Sequence, residues 1–357
     1  MGSNRKNFVN VHVLISHSAS CLNRDDMNMQ KSMTFGGVNR VRISSQCLKR
    51  AMRRSPYHTA RLGEGSIRTR SLELLKEKLV DHPRLERFGS ADIALAIDLM
   101  GGAKASDILM PWSVSEIEAA CVAIEDARAK RVVDDALSSE VEKVLKKRTG
   151  LVPADVALSG RMITSGIMSR IDGALSVAHA FTTHAVSSDV DWFTAMDDLT
   201  QELEDARGAA HLNTQEFGAG VFYRYISLNI GQLERNMEAG RADALNVAAD
   251  YTHLLATAVP TGKQHSFAAF NVADLVLVSF ADMPISAANA FETPIRENGR
   301  GYLQPSIQAL EEYIETVRRG YGIDETQAVF SLRDTNLSPR LDTLEELKSW
   351  IRADGEF

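Results

Sequence analysis

The spacing of apolar residues changes twice along this chain, and this change constrains the fold more than any other feature of the sequence. Residues 9–15 place Val or Ile at every second position, which predicts a β-strand with one buried face. Residues 66–148 instead repeat their apolar side chains with helical spacing. Alternation returns at 174–186 and at 221–230, so a long helical insertion interrupts a sheet-forming chain.

Further elements surround these segments. A short strand at 41–43 leads into a helix at 46–54, which Ser44 or Ser45 caps and which ends before Pro56. The rest of the chain predicts a helix over 242–256, a buried strand over 267–280, an amphipathic helix from Pro305 to Gly320 and a final helix with the capping box Thr343/Glu346.

Together these elements predict an α+β fold with helices on one face of an antiparallel sheet. The ferredoxin-like, RNA-recognition-motif-like arrangement is the commonest member of that class. Residues 187–218 lie between two strand segments and are longer than an ordinary loop. A segment of that length is a lid, a binding arm or a disordered stretch.

The charge distribution points to a polyanion. The chain has a net charge of −7, yet residues 20–56 hold eight Lys or Arg side chains against Asp25 and Asp26, a local charge of +6. An acidic protein that gathers cations in one segment with glycines and hydroxyl side chains has built a polyanion site, or else displays an ordinary solvated basic face. The aromatic content of 6% argues against indiscriminate coating of nucleic acid.

Composition and missing motifs narrow the function classes. Cys21, Cys47 and Cys121 are widely spaced and odd in number, which argues against a disulfide framework or a zinc site and fits a cytoplasmic protein. No apolar run approaches the roughly 18 residues of a membrane span, and no signal-peptide core opens the chain. Phosphate-loop, dinucleotide, zinc-protease and serine-hydrolase motifs are missing, so we predict no cofactor and no metal site.

Five sequence blocks carry a family resemblance. The blocks are SHSASCLNRDDMNMQKSMTFGG (16–37), RVRISSQCLKRAMR (40–53), ALSGRMITSG (157–166), VDWFTAMDDL (190–199) and HLNTQEFGAGVFYRY (211–225). In this order they resemble the CasC family, the backbone subunits of the type I-E CRISPR surveillance complex Cascade. The resemblance extends over nearly the whole chain and is weakest at 70–150.

The resemblance implies a hand-shaped, non-catalytic RNA-binding subunit. Its palm would comprise 1–60 and 167–357 with an RNA-recognition-like sheet, its helical fingers 61–166 and its thumb arm 187–218. Several copies would stack head to tail along one guide RNA (crRNA), beside the other Cascade subunits. The guide would then pair with invading DNA, which a separate helicase-nuclease degrades in antiviral defence.

A filament that accepts any spacer must bind phosphates and leave sequence reading to base pairing. Lys and Arg supply charge, while hydroxyl, amide and helix N-terminal groups supply neutral donors. Lys49 and Arg53 are four residues apart and share a helix face, whereas Arg50 and Arg54 lie on a neighbouring face. The RNA-binding candidates are Arg24, Lys31, Arg40, Arg42, Ser44, Ser45, Gln46, Lys49 and Arg53.

Met162 and Leu212 match the positions at which the resembled family divides its guide into short segments. Unstacking a base costs a few kcal/mol, and an inserted apolar side chain offsets part of that cost. An unbranched methionine suits such a contact. Without the resemblance, Met162 would be interpreted as a core residue.

Bulky side chains alternate with acids in the predicted arm. Trp192, Phe193, Thr194 and Met196 lie among four aspartates, which argues against a core of their own. The resemblance implies contact with the guide–target hybrid. Packing against a neighbouring subunit and a local cluster that holds the arm together are the alternatives.

A rival hypothesis makes the chain a metal-dependent endoribonuclease. Backbone subunits of type III complexes cut RNA with an acidic loop residue, and Asp25 and Asp26 lie in a comparable early loop. Adjacent carboxylates can bind a divalent metal and activate water. The other interpretation is loop capping or pairing with Arg24. Of the histidines, His179 is predicted to lie in the core, and His184, His211 and His265 are possible RNA contacts.

Overall fold

The computed structural model describes residues 5–102, 108–132, 134–147, 152–162, 167–195 and 211–356. For 134, 135, 146, 147, 193–195 and 211–213 the backbone alone is described. The chain divides into two compact units. The first contains Met1–Val9, Arg53–Ser176 and Leu228–Asp250, and the second contains Asn10–Met52, Val177–Ser227 and Tyr251–Phe357.

Strands and helices alternate irregularly along the chain. The strands are β1 (Phe8–Ser20), β2 (Ser32–Phe35), β3 (Val38–Ile43), β4 (Ile67–Thr69), β5 (Met110–Trp112), β6 (Leu175–Val177), β7 (Ala180–Thr182), β8 (Asp189–Ala195), β9 (His211–Asn229), β10 (Leu275–Ala281), β11 (Thr326–Ser331) and β12 (Arg340–Leu341). The helices are α1 (Ser45–Arg53), α2 (Pro56–Leu62), α3 (Leu72–Val80), α4 (Ser90–Gly101), α5 (Val114–Ala129), α6 (Asp134–Lys147), α7 (Ala154–Ser159), α8 (Ile230–Met237), α9 (Arg241–Thr257), α10 (Gln264–Phe267), α11 (Leu303–Tyr321) and α12 (Leu344–Arg352), with a 3-10 turn at Ala288–Phe291.

A large mixed sheet organises the fold. Its strand order is β12-β11-β10-β1-β9-β7-β3-β2, and β6 and β8 also pair with β9. The pair β11·β12 is parallel, whereas β10·β11, β2·β3, β3·β7, β7·β9 and β8·β9 are antiparallel. The prediction of helices combined with a β-sheet is thus confirmed as a mixed α/β architecture.

The first strand differs from the prediction in one respect. Its apolar alternation predicts one buried face, but both faces of β1 are buried from Val9 to Ile15. The neighbouring strands β10 and β9 cover only its two edges, so the burial of both faces comes from side chains packed above and below the sheet. Its buried polar side chains have partners, since Asn10 Oδ1 accepts a hydrogen bond from Tyr225 (2.9 Å) and His12 Nδ1 lies 2.8 Å from the Tyr223 hydroxyl.

One core of the second unit joins the sheet to α11 and to the 3-10 turn. The amphipathic face of α11 buries Ile307, Leu310 and Ile314, as its helical spacing predicts. These side chains belong to one cluster with Leu277 of β10 and Phe291 of the 3-10 turn.

The strand predicted over 267–280 begins only at Leu275. Before it, α10 ends at Phe267, its C-cap Ala268 has a left-handed backbone conformation, and residues 268–274 form an irregular segment. The apolar run FAAFNVAD therefore includes exposed positions as well as buried ones. Apolar content alone could not distinguish this loop from a buried strand.

The helical insertion forms a separate core in the first unit. Helices α3 to α6 pack around Trp112, Ile117, Cys121 and Ile124, each of them fully buried. Over the described part of 66–148, the predicted helical character is confirmed, except that β4 and β5 pair as a small antiparallel sheet within it. Burial raises the pKa of the Cys121 thiol to about 12, so this thiol is an inert core group. Among the described residues, no helix has the length and apolar character needed to cross a bilayer.

Candidate nucleic-acid interface

A tight hairpin between β2 and β3 presents the basic segment. Gly36 and Gly37 form its turn with φ values of +59° and +75°. A Cβ atom on Gly36 would lie 1.7 Å from the carbonyl oxygen of Glu292, so only glycine fits there. The close backbone approach at this turn is therefore to the 3-10 turn region of the same unit.

Arg40 holds this hairpin from the inside. Its side chain is fully buried, and Nε, Nη1 and Nη2 donate to the carbonyl oxygens of Phe35 (3.2 Å), Thr182 (2.9 Å) and Phe291 (2.9 Å). Burial lowers the pKa of Arg40, opposed by the charge of Glu292. The prediction that Arg40 contacts phosphate is wrong, because its guanidinium is enclosed by protein carbonyls.

Arg42 lies two residues further along β3 and remains accessible. Nε donates to Ser32 O (3.0 Å) and Nη1 lies 2.8 Å from His179 Nδ1. Because a guanidinium only donates, His179 Nδ1 must accept this bond. The half-buried Lys31 lies on the adjacent strand segment, and its backbone oxygen accepts from Arg42 N (2.9 Å). Within the described residues, the Lys31 ammonium makes no hydrogen bond or ion pair.

His179 completes a cationic edge that we define as Lys31, Arg42 and His179. Partial burial lowers the pKa of His179, and the charges of Arg42 and Lys31 lower it further. The prediction that His179 is a core residue is wrong, because it is exposed. It lies between the short strands β6 and β7, where the regular alternation that suggested burial is interrupted.

The serines beside this edge organise α1. The Ser44 hydroxyl accepts from Cys47 N (3.3 Å), while Ser44 N donates to Asn23 Oδ1 (2.8 Å). Of the two serines that the sequence offered as the N-cap, Ser44 has this role, and its hydroxyl therefore already has a partner. Ser45 is half-buried and Gln46 is exposed, both in the first turn of α1.

Lys49 and Arg53 differ in their surroundings. Lys49 is half-buried in the middle of α1. The Arg53 side chain is 14% exposed, and its Nε lies 3.9 Å from Oδ2 of the buried Asp155. Arg53 therefore carries a structural ion pair within the first unit, and its use as a phosphate ligand stays a prediction.

The loop after β1 is closed on itself by Asp25. One oxygen, Asp25 Oδ1, accepts from the backbone N–H groups of Met27 and Met29 (both 2.9 Å), and Asp25 N donates to Met29 O (2.9 Å). Arg24 is half-buried and donates through Nη1 to Asn28 Oδ1. This is the capping role that the sequence left open for Asp25. Among the described residues, no group of three or more His, Cys, Asp or Glu side chains is placed to hold a metal ion.

Met162 lies on the surface of the first unit. Its side chain is 89% exposed, which excludes the core position that its sequence context alone would predict. The preceding Arg161 is buried, donates to Ser169 O (3.0 Å) and exchanges two backbone hydrogen bonds with Ile171 (2.8 and 2.9 Å). A rigid support thus carries an exposed apolar side chain.

The predicted arm contains an antiparallel ladder. Strands β8 and β9 pair in register from Asp189↔Phe217 to Ala195↔His211. Trp192 is 65% and Val190 51% exposed on one face of β8. Phe193, Thr194 and Leu212 lie on this ladder by their backbone positions, and Met196 lies outside the described residues.

The sequence suggested His184 as an RNA contact, but in the structure its ring is not accessible to RNA. It is buried, stacks on Tyr302 with ring centroids 3.7 Å apart, and accepts from Val221 N through Nε2 (3.2 Å). His265 is exposed, and the side chain of His211 lies outside the described residues.

The sequence and fold of this chain were compared with those of known proteins. No curated protein matches the chain. A chain of a solved structure described as "CRISPR RNA-guided surveillance complex, pre-nicking" shares 30% identity with a TM-score of 0.81, covering 98% of this chain and 100% of that one. A second, described as "CRISPR RNA-guided surveillance complex", shares 26% identity with a TM-score of 0.64, covering 97% and 98%. The family model of CT1975-like proteins matches residues 9–352, and this chain belongs to that family.

Proposed function

We propose that this chain is a non-catalytic, crRNA-binding backbone subunit of a type I-E CRISPR surveillance complex. Several copies bind one guide RNA head to tail, and the guide pairs with invading DNA. The chain supplies no nuclease chemistry, which a recruited partner provides. The structural similarity to chains of surveillance complexes, which covers nearly all of this chain and of each matched chain, supports this proposal.

The observation that carries the proposal is the cationic edge of Lys31, Arg42 and His179. Two permanent positive charges lie beside a neutral imidazole at the edge of the large sheet. The charge of the whole chain is −7, so this edge is a local feature. A locally positive surface on an acidic protein attracts a polyanion to one place and not to the whole surface.

The hydrogen-bond donors of α1, both neutral and charged, fit a backbone-reading role. Gln46 and Lys49 lie on α1 close in sequence to its Ser44 cap, and the first turn of a helix favours an anion. Such contacts hold phosphate and ribose and carry no base information. The spacer sequence can therefore vary without loss of affinity. The proposed phosphate contacts are Arg24, Lys31, Arg42, Ser45, Gln46, Lys49 and Arg53, with Ser44 as the N-cap of α1.

The apolar residues have a second role in the proposal. Met162 stands out from the first unit and displaces one base per guide segment, since an exposed methionine can replace the lost stacking contacts. Leu212 shares this task on the arm. Trp192, Phe193, Thr194 and Met196 contact the guide–target hybrid. In this assignment, the palm is 1–60 with 167–357, the fingers are 61–166 and the thumb arm is 187–218.

Charge reversal tests the phosphate contacts. We expect Lys31→Glu and Arg42→Glu to lower affinity for guide RNA to the same extent with unrelated spacers. Each should also make the slope of log K against log salt shallower by about 0.7. Arg319→Glu, an exposed arginine on α11, is the matched control. A loss that depends on spacer sequence, or an equal loss in the control, would contradict the proposal.

Chemical probing of the bound guide tests the wedge. In the assembled complex, reactivity along the guide should rise at regular intervals where bases are displaced. Met162→Ala should leave assembly intact and flatten this periodic pattern. Met283→Ala, at another exposed methionine (54%), should leave it unchanged. An unaltered pattern in Met162→Ala would refute Met162 as the separator.

The ribonuclease hypothesis has a direct test of its own. Labelled guide or target RNA is incubated with the protein and either magnesium or manganese. Cleavage that Asp25→Asn abolishes would overturn the non-catalytic assignment. We expect intact RNA, because the Asp25 carboxylate is occupied as a loop cap.

A further inference from the structure

A loop outside the basic segment presents an exposed aromatic side chain. We define the platform loop as residues 261–272, which connects α9 to β10 and contains the short helix α10. Phe270 in this loop is 71% exposed, and Val272 is 56% exposed. Two apolar side chains are thus exposed within one short loop, although burial of such a ring would contribute up to about 3 kcal/mol.

The backbone of the platform loop is held in an unusual conformation. Lys263 and Ala268, at the two ends of α10, both have left-handed backbones, with φ values of 54° and 47°. Non-glycine residues in this region are strained, and such strain persists where the surrounding structure imposes it. Gly262 approaches the segment that follows β1 so closely that a Cβ atom would lie 2.8 Å from Cys21 O.

A buried polar chain fixes the loop next to Phe270. Arg224 is fully buried, and its Nη1 donates to Leu255 O and Ala258 O (both 2.9 Å). Its Nη2 lies 3.0 Å from His17 Nε2, so this nitrogen accepts and the His17 proton is on Nδ1. Nδ1 in turn donates to Asn271 Oδ1 (3.2 Å), which holds the residue that follows Phe270.

The charges around the loop favour a nucleic acid as the occupant. Lys263 and His265 lie in the loop, which contains no Asp or Glu. Burial and the charges of Glu216 and Asp25 raise the pKa of the Cys21 thiol, whereas the charges of Arg24 and Lys263 lower it. Lys263 Nζ donates to Gln215 Oε1 (2.8 Å), and the close approach of Gly262 to Cys21 O brings the platform loop near the loop of Arg24. The platform loop is therefore next to the proposed phosphate contacts.

We propose that Phe270 is a stacking platform for a nucleobase of the bound RNA, with Asn271 as its positioning residue. This inference rests on the proposed function. Every base has a π-face, so a rigid aromatic ring adds affinity without selecting a sequence. It thereby adds an apolar contact to the cationic edge and keeps the independence from spacer sequence.

An abasic strand separates stacking from phosphate binding. The probes are a guide-length RNA and a ribose-phosphate strand of equal length without bases, both measured with the full chain. Phe270→Ala should lower affinity for the RNA by roughly tenfold and leave affinity for the abasic strand unchanged. Phe270→Trp should retain RNA affinity, because it keeps a ring. Tyr321→Ala, at an even more exposed aromatic (83%), is the control and should change neither affinity.

The salt dependence of RNA binding and the Asn271→Ala variant test the stacking proposal independently. The slope of log K against log salt should be unchanged in Phe270→Ala, because no phosphate contact is lost. Asn271→Ala should weaken RNA binding in the same way, and it should increase hydrogen exchange at the Phe270 amide, which donates to Ala268 O (2.8 Å). Unchanged exchange would refute Asn271 as the positioning residue.

Other outcomes would overturn the stacking proposal. Equal affinity losses on both strands, or no loss on either, would exclude stacking at Phe270. A loss seen only with RNA long enough for two copies would assign Phe270 to contact between copies. Failure of the proposed function itself looks different, since the unmodified chain would then bind neither strand and Lys31→Glu would have no effect.

Discussion

Arg161 and Glu116 form a buried, two-point ion pair directly beside the most exposed methionine of the described chain. Arg161 Nη1 lies 2.8 Å from Glu116 Oε2, and Nη2 lies 2.9 Å from Oε1. Their side chains are 1% and 9% exposed, whereas Met162 is 89% exposed. Parallel hydrogen bonds fix both position and orientation, so they determine where Met162 leaves the surface.

Glu116→Gln should therefore destabilise the protein far more than Met162→Ala. The first change leaves a buried guanidinium without its counter-charge, at a cost of about 3–5 kcal/mol. The second removes a solvated side chain and should stay within about 0.5 kcal/mol. Urea unfolding followed by circular dichroism measures both. Similar unfolding midpoints for the two variants would show that the ion pair does not support this surface.

Replacement of Arg40 or of Arg42 by alanine should have different effects, although both residues lie on β3. The first change should reduce stability, and the second should reduce RNA affinity. Arg40→Ala leaves three carbonyl oxygens without their donors and should reduce the free energy of unfolding by about 3 kcal/mol. Arg42→Ala should change it by at most about 0.5 kcal/mol and instead weaken RNA binding.

Thermal unfolding and RNA titration of both variants test this contrast. Arg42→Lys is the conservative control, because it keeps the charge and should recover most of the affinity. A destabilised Arg42→Ala with unchanged RNA affinity would assign Arg42 to structure alone.

The difference between these arginines could not be predicted from their spacing. Both occupy even positions of β3 and so share a nominal strand face. Arg40 is enclosed because the Gly36 turn brings Phe35 and Glu292 together around it, a contact between residues more than 250 positions apart in sequence. Local patterns predicted the hairpin strand, the Ser44 cap and α11, since each depends on neighbouring residues. Burial of a charge depends on distant ones.

Met162 and His179 are the opposite case, because local patterns suggest burial and the structure shows both side chains exposed. A methionine without a known partner suggests a core position, and a histidine in phase with Leu175 and Val177 suggests a buried strand face. Met162 is exposed because Gly160, with φ +78°, turns the chain within contact of Ile171 O. His179 is exposed because the strand is broken between β6 and β7.

The pKa of His179 should rise when RNA binds. In the free protein, partial burial together with Arg42 and Lys31 holds this pKa below 6.5. Phosphates at the cationic edge offset those charges and favour the imidazolium. By linkage, RNA should bind more tightly as the pH falls through the pKa of the bound state.

Nuclear magnetic resonance titration of the His179 ring, with and without RNA, measures this shift directly. His179→Gln should remove this part of the pH dependence of binding. A His179 pKa that is unchanged, or lower, in the complex would place the phosphates away from the edge.

Two buried histidines should make the protein sensitive to acid. Burial lowers the pKa of His12 to about 3, and burial with the Arg224 charge lowers that of His17 to about 3. The unfolded chain binds these protons near pH 6.5, whereas the folded chain binds them only near pH 3. The free energy of unfolding should therefore decrease as the pH is lowered from 6.5 to about 3. The slope should approach about 1.4 kcal/mol per pH unit for each histidine.

Urea unfolding at several pH values provides the measurement. His12→Gln removes one titrating group and should reduce the slope in this window. A slope that is the same in this variant would mean that other groups control the acid response.

A comparison of alanine variants at Gly36 and Gly37, in the β2–β3 turn, should distinguish the cost of backbone strain from the cost of a steric clash. Both have positive φ, so replacement by alanine costs about 1 kcal/mol at either position. At Gly37 a Cβ atom meets nothing within 4 Å, whereas at Gly36 it would lie 1.7 Å from Glu292 O. Gly36→Ala should therefore lower the unfolding free energy by at least about 2 kcal/mol more than Gly37→Ala, because the 3-10 turn region must move away from Arg40. Urea unfolding of the two variants gives this difference, and equal losses would show that the turn does not pack against Glu292.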